Sequence, residues 1–370
     1  MIPPILIPSQ VSDRHPTLLS QSSIHHNHPA FSSSDRQFVG DSVPAKSSHT
    51  LRLYFSNVNG ISSYQHFQSI HPLMDSLHSL QADIMCLVEH NLAIEKPHVR
   101  CSLNKAVKRH FPSSRIVASS SSLPFPSSYK PGGCLLITNS SPTSRITQQG
   151  YDSLGRWSYV LLATKQDNMI CVVTTYKPCQ THLSHAGPYT VYRQQWNILR
   201  AQGHSNPNPR TQYDKDLLQF LQQQTDLGHR IILTGDFNSS KSQSTLFQSL
   251  YQMGLRDMIT DRHFQLPTFR SYNRGTSVID YALCSISLLP LVTMSTYEPF
   301  QYTSRSDHRG IIIDFDRSQL FGNPQSIQSP VFCGLQSTNP NQVEQFLQYT
   351  SQYWEEYNCL LYTSPSPRDS

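Results

Sequence analysis

Near the middle of the chain an apolar, β-branched run ends in a carboxylate and an amide. Residues His229 to Ser240 read HRIILTGDFNSS. Ile231, Ile232 and Leu233 read as a buried strand, and Asp236 and Asn238 leave its C-terminal end two residues apart, so both can point the same way. Such an arrangement is either an ordinary strand-to-turn junction or a chemical site. Further polar clusters stand at the ends of other strand candidates: SNVNGI (Asn57, Asn59), CLVEHN (Glu89), PGGCLLIT (Gly132, Gly133), TTYKP (Tyr176), PTF (Thr268), SVIDYAL (Ser277, Asp280) and SDHRGI (Asp307, His308). Singly each has a plain explanation, Asn59-Gly60 as a turn, Tyr176 as an amphipathic rim residue, Asp280 as a surface carboxylate. Their order and their shared placement at strand ends make a stronger signal than any one of them.

Taken together, from Leu51 to Phe315, these motifs resemble the endonuclease/exonuclease/phosphatase superfamily, which includes DNase I, apurinic/apyrimidinic endonucleases and the endonuclease domains of non-LTR retrotransposons. The resemblance spans about 265 of the 370 residues, and GDFN after an apolar strand and SDH before another are its most specific parts. It implies an α/β fold, a four-layer α-β-β-α sandwich of two mixed, mainly antiparallel sheets flanked by helices. It also implies hydrolysis of a phosphodiester, which requires a polarised phosphoryl group, an activated water and help for the departing oxygen. A carboxylate cluster alone would repel that anion, and a hard divalent cation resolves the conflict.

By the same resemblance Glu89 is the principal ligand of Mg²⁺ (or Mn²⁺), Asn59 completes an oxygen-rich site and Asp307 assists it. His308 is oriented by Asp280, whose carboxylate fixes the ring's tautomer and favours its protonated form. Asp236 orients or deprotonates the attacking water, Asn238 hydrogen-bonds the phosphoryl oxygen, Tyr176 contacts the phosphate, and Asn57 holds the first cluster in place at the substrate. Which of His308 and Asp236 is the general base stays open. One departure from many relatives is His90, where they carry Thr; it leaves Glu89 intact.

The superfamily also holds enzymes acting on RNA 3′ ends and phosphatases of small phosphoesters, and a reading of a different class is a catalytically inactive DNA-binding module that retains the fold. Three features favour duplex DNA and a nick that leaves a 3′-hydroxyl. Thr268 and Ser277 match hydroxyl positions typical of retrotransposon endonucleases and are expected at the substrate. Between them FRSYNRGT carries Arg270, Tyr272 and Arg274, and the corresponding hairpin of those enzymes lies against DNA, where arginines suit a minor groove. The segment PNPRTQYDKDL resembles one found in family members encoded beside reverse transcriptases, so a downstream reverse transcriptase is an expected partner.

The elements that must carry these residues are legible as patterns. Leu51, Leu53 and Phe55 alternate as a half-buried strand does. Phe67, Ile70, Leu73, Leu77 and Leu80 recur at helical spacing, with Pro72 expected to disturb the helix. Strands are expected at Ile84 to Val88, Cys134 to Thr138, Tyr159 to Thr164, Ile170 to Tyr176, Ile279 to Leu283, Leu291 to Tyr297 and Ile311 to Phe315. Helices are expected around Tyr192 to Leu199, Leu217 to Leu221, Leu246 to Tyr251 (ending at Gly254) and Asn341 to Tyr357.

Composition sets the outer bounds. A 37% hydrophobic content supports a real core, and a net charge of +5 tolerates a polyanionic partner without demanding one. Eight cysteines are scattered from Cys86 to Cys359 without CxxC pairs, which reads as a reduced, intracellular protein, nuclear if it serves an active retroelement. No segment approaches the ~18 apolar residues of a membrane span, and a monomer is expected. Residues 1–48, rich in Ser, His and Pro, read as a solvated tail, 49–316 as the catalytic domain with a surface insertion at 178–210, and 317–358 as a linker with a helix. The final CLLYTSPSPRDS resembles translated sequencing adapter, so the natural frame is expected to continue beyond Asn358.

Overall fold

The computed structural model describes residues 33–63, 67–68, 70–165, 169–179, 183, 187–271, 275–322 and 339–356. Arg274 and Tyr272, residues 1–32 and the adapter-like terminus lie outside them. In chain order the elements are β1 (Val39–Gly40), β2 (Thr50–Asn57), α1 (Ile70–Ser79), β3 (Ile84–Val88), α2 (Pro97–His110), β4 (Arg115–Ser119), β5 (Cys134–Thr138), β6 (Ile146–Tyr151), β7 (Trp157–Ala163) and β8 (Met169–Tyr176). They continue with α3 (Val191–Ala201), α4 (Pro209–Asp226), β9 (Arg230–Asp236), α5 (Thr245–Gln252), β10 (Leu255–Asp257), β11 (Phe269–Ser271), β12 (Gly275–Ser277), β13 (Asp280–Ser285), β14 (Val292–Tyr297), β15 (Ile311–Asp316), α6 (Arg317–Phe321) and α7 (Pro340–Glu356).

Two mixed sheets form the centre, ordered β1-β14-β15-β2-β3-β5-β4 and β10-β13-β9-β8-β7-β6, with β11-β12 as a separate hairpin. Period-two alternation explains how they stack. On β2, Leu51, Leu53 and Phe55 face the space between the sheets, where they join Ile84, Cys86 and Val88 of β3 and Ile170, Val172 and Ile232 of the second sheet. The opposite residues, Tyr54, Met85 and Leu87, pack outward against Leu73, Met74 and Leu77 of α1 and Leu103 and Val107 of α2. On the far side, Cys171, Val173, Ile231 and Leu233 meet Leu217 and Leu221 of α4 and Leu246 and Leu250 of α5. The result is the expected α-β-β-α sandwich, held by three apolar layers.

Some elements differ from expectation. The first helix starts at Ile70 rather than Phe67, which has φ +66°, and Pro72 sits in the first turn, where no backbone N–H needs an intrahelical acceptor. The helix expected at Leu217 to Leu221 runs from Pro209 to Asp226, capped by Asn208, whose side chain accepts from the N–H groups of Arg210 and Thr211. Within 178–210, α3 buries Tyr192, Gln194, Gln195 and Leu199. The segment read as a solvated tail is docked over its last part. There β1 pairs with β14, and Asp41 accepts from the Ser295 N–H, ion-pairs with Arg262 and lies 3.1 Å from His263 Nε2.

Candidate active site

Strand register brings the polar clusters to one edge of the sandwich. In the second sheet Tyr176 of β8 is the register partner of Asp236 of β9, and Asp236 is the partner of Asp280 of β13, so three functional side chains lie in one row across three strands. In the first sheet Asn57, the last residue of β2, partners Val88, and Glu89 follows directly. The SDH segment enters from the antiparallel β15, which begins three residues after His308. Two strand ends and one strand start from each sheet therefore meet above the inter-sheet core.

The backbone there is held in conformations that side chains rarely adopt. Asn59, Glu89 and Asn238 have φ of +47°, +57° and +46°, and such strained positions persist only where surrounding structure fixes them. Glu89 is fixed on both sides: its N–H donates to the Gly133 carbonyl, and its own carbonyl accepts from the Gly60 N–H. Gly133 itself is required, since a Cβ there would stand 2.5 Å from the Ser119 carbonyl oxygen and 2.3 Å from His90 Nε2. His90 is buried with Nε2 on the Ser119 carbonyl and Nδ1 accepting from the Leu92 N–H. Burial pushes its pKa down to about 4, so it is a neutral strut beneath the loop.

At the centre Asn57 connects the halves. Its amide nitrogen donates to Glu89 Oε2 at 2.7 Å and to Asp236 Oδ2 at 2.9 Å and lies 3.4 Å from His308 Nε2. Its oxygen accepts from the Asn59 N–H at 2.9 Å, which fixes the amide's orientation. Tyr176 donates its hydroxyl to Glu89 Oε1 at 2.9 Å. Asn59 reaches Asp307 Oδ1 at 3.2 Å through its amide nitrogen. His308 Nδ1 meets Asp280 Oδ2 at 2.8 Å, and the other Asp280 oxygen is buried without a hydrogen-bond partner among the described residues.

The electrostatics follow from burial and like charges. Burial and then the Asp280 charge push Asp236 up to about 8, with His308 acting in the opposite sense. Burial alone would lower His308, but Asp280 outweighs it and raises the imidazole to about 10. The pair therefore holds a proton at neutral pH, and His308 Nε2 carries an N–H that the neighbouring Asn57 amide nitrogen, itself a donor, leaves without an acceptor there. Asp236, Asp280 and His308 are close enough together to suggest a cation, but a protonated imidazole has no lone pair to give. The oxygens of Glu89, Asn59 and Asp307 suit a hard cation better.

Several expected residues have other placements. Thr268, expected at the substrate, is fully buried. Its hydroxyl accepts from the N–H groups of Ile279 and Asp280, both at 3.1 Å, so it positions the Asp280 backbone. Asn57 is likewise fully buried, and it bridges the Glu89 and Asp236 carboxylates and accepts from the Asn59 N–H. Ser277 is exposed on the β11-β12 hairpin, where its carbonyl accepts from the Thr268 N–H. Arg270 donates its N–H to the Asp307 carbonyl, while its guanidinium pairs with Asp35 at 2.7 Å. Asp35 lies in the segment read as a tail, and sequence alone offered no sign of that pair.

Arg210 is the main residue that the motifs did not reveal. From the first turn of α4 it donates to the carbonyls of Pro178 and Asn238 and to Ser239 Oγ, clasping the turn that carries Asn238. Asn238 in turn donates its amide to the Lys177 carbonyl, and its N–H caps Asp236 Oδ1. Only the resemblance of PNPRTQYDKDL to a family segment pointed toward this stretch.

A two-sheet sandwich with carboxylates, amides and a charged imidazole gathered at its strand ends is the DNase I-like class of fold. Residues 55–308 match the Endonuclease/Exonuclease/phosphatase family, and the chain belongs to it. Its fold is similar to that of AP endonuclease LMAP from Leishmania major, at 15% identity and a TM-score of 0.55 over 76% of this chain and 93% of that one. It is also similar to the 3′-5′ exonuclease NExo from Neisseria meningitidis (18% identity, TM-score 0.49, 72% and 100%) and to the endonuclease domain of TRAS1, a telomere-specific non-LTR retrotransposon (15%, 0.42, 73% and 99%). No curated protein matches the sequence. Members of this superfamily are hydrolases acting on phosphodiester bonds and generally use a divalent metal. Among the described residues no helix is long and apolar enough to cross a membrane.

Proposed function

We propose that the protein is a divalent-metal-dependent DNA endonuclease of retroelement origin, which nicks duplex DNA and leaves a 3′-hydroxyl. The observation that carries the hydrolytic part is the Asn57 amide joining Glu89 to Asp236 beside the His308–Asp280 pair. Mg²⁺, or Mn²⁺, would be held by Glu89 with Asn59 and Asp307, and when bound it would supply charge stabilisation for the phosphoryl oxygens. The protein's own groups divide the remaining work. Protonated His308 donates an N–H to a phosphoryl oxygen, Asp236 orients the attacking water and in its ionised form takes its proton, and Asn238 steadies a second phosphoryl oxygen. Tyr176 holds Glu89 in place from the side opposite Asn57.

The hairpin supports DNA as the substrate. Phe269 of β11 forms a backbone bridge to His308 and packs its ring 4.8 Å from the imidazole, so whatever contacts the hairpin is adjacent to the scissile phosphate. Arg270, Arg274 and Ser277 are proposed to act there on the backbone or groove of the duplex. Retroelement origin rests on the sequence resemblance, and with it the downstream reverse transcriptase partner, the nuclear location and the monomeric state.

The test is to incubate the purified full chain with supercoiled plasmid, poly(A) RNA and an inositol phosphate, each with Mg²⁺ or EDTA. Nicked plasmid in Mg²⁺ alone, with ends that a polymerase can extend, is expected. Shortened RNA with intact plasmid would replace DNA by an RNA 3′ end, release of phosphate from the inositol compound would indicate a phosphatase, and tight DNA binding without cleavage would indicate a binding module.

A further inference from the structure

Beside Glu89 the chain builds a cavity of ≈ 380 Å³, within the range of small-ligand pockets, about 300–1,000 Å³. Among the described residues its walls include Pro131, Pro188, Tyr189 and Val191, and Glu89 and Tyr176 stand at the catalytic side. One wall is the turn before β5; the other leads into α3. They are tied together from beneath by Gln194, 1% exposed, whose amide nitrogen donates to the Pro131 carbonyl at 3.2 Å and the Tyr189 carbonyl at 2.9 Å. Gly132 closes the join: a Cβ there would stand 2.9 Å from a Val191 methyl. The pocket is thus fixed by buried contacts and continuous with the candidate active site.

Its chemistry is flat and apolar with few polar groups. Tyr189 is 55% exposed, yet its ring is held by an edge contact with Phe125, centroids 5.0 Å apart at 73°. An aromatic ring fixed on one edge and left open is a stacking platform, and such platforms accept any base because every base has a π-face. A phosphate would call for cations, and among the described residues the lining holds none; the polar groups it does hold, the Glu89 carboxylate and the hydroxyls of Tyr176, Thr190 and Tyr192, can meet the edge of a base whose face lies on Tyr189.

We propose that this cavity is a subsite for an unstacked nucleobase, that of a nucleotide flanking the phosphodiester at Glu89 and His308, with Tyr189 as its stacking residue. The inference rests on the hydrolase reading above and adds to it that the enzyme engages a base drawn out of the stack. A base at this point makes Pro188, Tyr189 and Val191, at the entry to α3, substrate-selecting residues apart from the hairpin on the His308 side.

Two arms test it with the full chain. In the first, cleavage is compared on oligonucleotides that differ in carrying a base or an abasic sugar at each position flanking the scissile bond. Tyr189→Ala is expected to raise KM roughly tenfold on the base-bearing strand, with kcat little changed. The abasic sugar at one position is expected to do the same to the native protein, and the two losses not to add. Tyr189→Phe keeps the ring and is expected to restore the native KM. An unchanged KM in Tyr189→Ala, or a loss of equal size on the abasic strand, overturns the subsite.

The second arm needs no turnover. With EDTA present, 2-aminopurine is placed at the same positions in an oligonucleotide, and the free 2-aminopurine nucleotide is titrated in parallel. Quenching that Tyr189→Ala abolishes supports the base subsite; quenching by the free nucleotide alone assigns it to mononucleotides. Equal quenching in native and variant protein, or none, overturns it. If the native protein cleaves no phosphodiester, the hydrolase reading fails on its own, and this arm still decides whether the cavity takes a base.

Discussion

Asp236 and Asp280 are direct register partners on neighbouring antiparallel strands, both buried, with His308 bound to one of them. Two like charges opposite each other on a buried sheet oppose folding unless a cation sits between them. The His308 imidazolium fills that role at Asp280, and burial with the Asp280 charge raises Asp236 to about 8, so a proton on Asp236 relieves what repulsion remains at neutral pH. The protonation of each of the three groups therefore depends on the charge of the other two.

Accordingly Asp236→Ala, His308→Ala and Glu89→Ala are each expected to lower kcat by on the order of a hundredfold or more, as for groups acting at the transition state. Asp280→Asn is expected to be distinct in its pH dependence. In the native protein His308 keeps its proton until the pH passes about 10; without the Asp280 charge, the proton leaves at lower pH. The alkaline limb of kcat/KM should therefore move to lower pH in Asp280→Asn. A limb that stays in place would separate His308 from the rate.

Arg210 touches neither Asp236 nor His308, yet it holds the Asn238 turn through three acceptors. Arg210→Ala is expected to reduce kcat about tenfold while the thermal midpoint changes little, because a misplaced group costs rate without costing the core. Arg210→Lys should recover little of it, as an ammonium cannot reproduce the planar fork. Steady-state kinetics beside a melting curve for both variants checks this; full activity in Arg210→Ala would leave the clasp a packing feature.

How much of this was legible in the sequence depended on the kind of signal. β2, β3, β5, β9, β13 and β15 are buried strands whose apolar runs stand out, and each delivers its motif at a strand end. β6 did not stand out because it is an edge strand with an exposed ITQQGY face, and α2 because Arg100, Lys105, Lys108 and Arg109 interrupt the apolar positions Val99, Leu103 and Val107. The residues of chemistry were recognisable by motif. Their supports were not: the Arg210 clasp reaches across 28 residues to Asn238, and the Asp35–Arg270 pair across 235. Thr268 was legible as a motif residue but not in its role, because a hydroxyl looks the same facing solvent or accepting backbone N–H groups.

That role gives Thr268 a measurable signature. Thr268→Val keeps the shape and removes the acceptor for two N–H donors, the buried one of Asp280 and the partly buried one of Ile279, with an expected cost of about 1–3 kcal/mol. Thr268→Ser should return most of it. The midpoint of denaturant unfolding reports the loss, and parallel kinetics should show Thr268→Val impaired in kcat through Asp280, with KM for DNA near the native value. A raised KM and unchanged stability would instead return Thr268 to the substrate.

Glu298 supplies a pH-dependent term in stability outside the candidate site. It is 1% exposed, with Oε1 accepting from the Tyr54 hydroxyl at 2.6 Å and Oε2 from Thr303 Oγ1 at 2.7 Å, and a Cβ on Gly310 would collide with Oε1. Burial outweighs those donors and pushes its pKa up to about 7, from 4.5. Between these values the folded chain keeps a proton that the unfolded chain has released, so stability from this group is full below about pH 4.5 and falls as pH rises toward 7. The loss is ~3 kcal/mol at most, from the span of the two values. Glu298→Gln carries no titrating proton, so native protein should lose stability relative to this variant across that window and run parallel to it above. Denaturant midpoints at about pH 5, 6, 7 and 8 measure the difference. A constant gap between the two proteins over all four would show that Glu298 is already ionised in the fold.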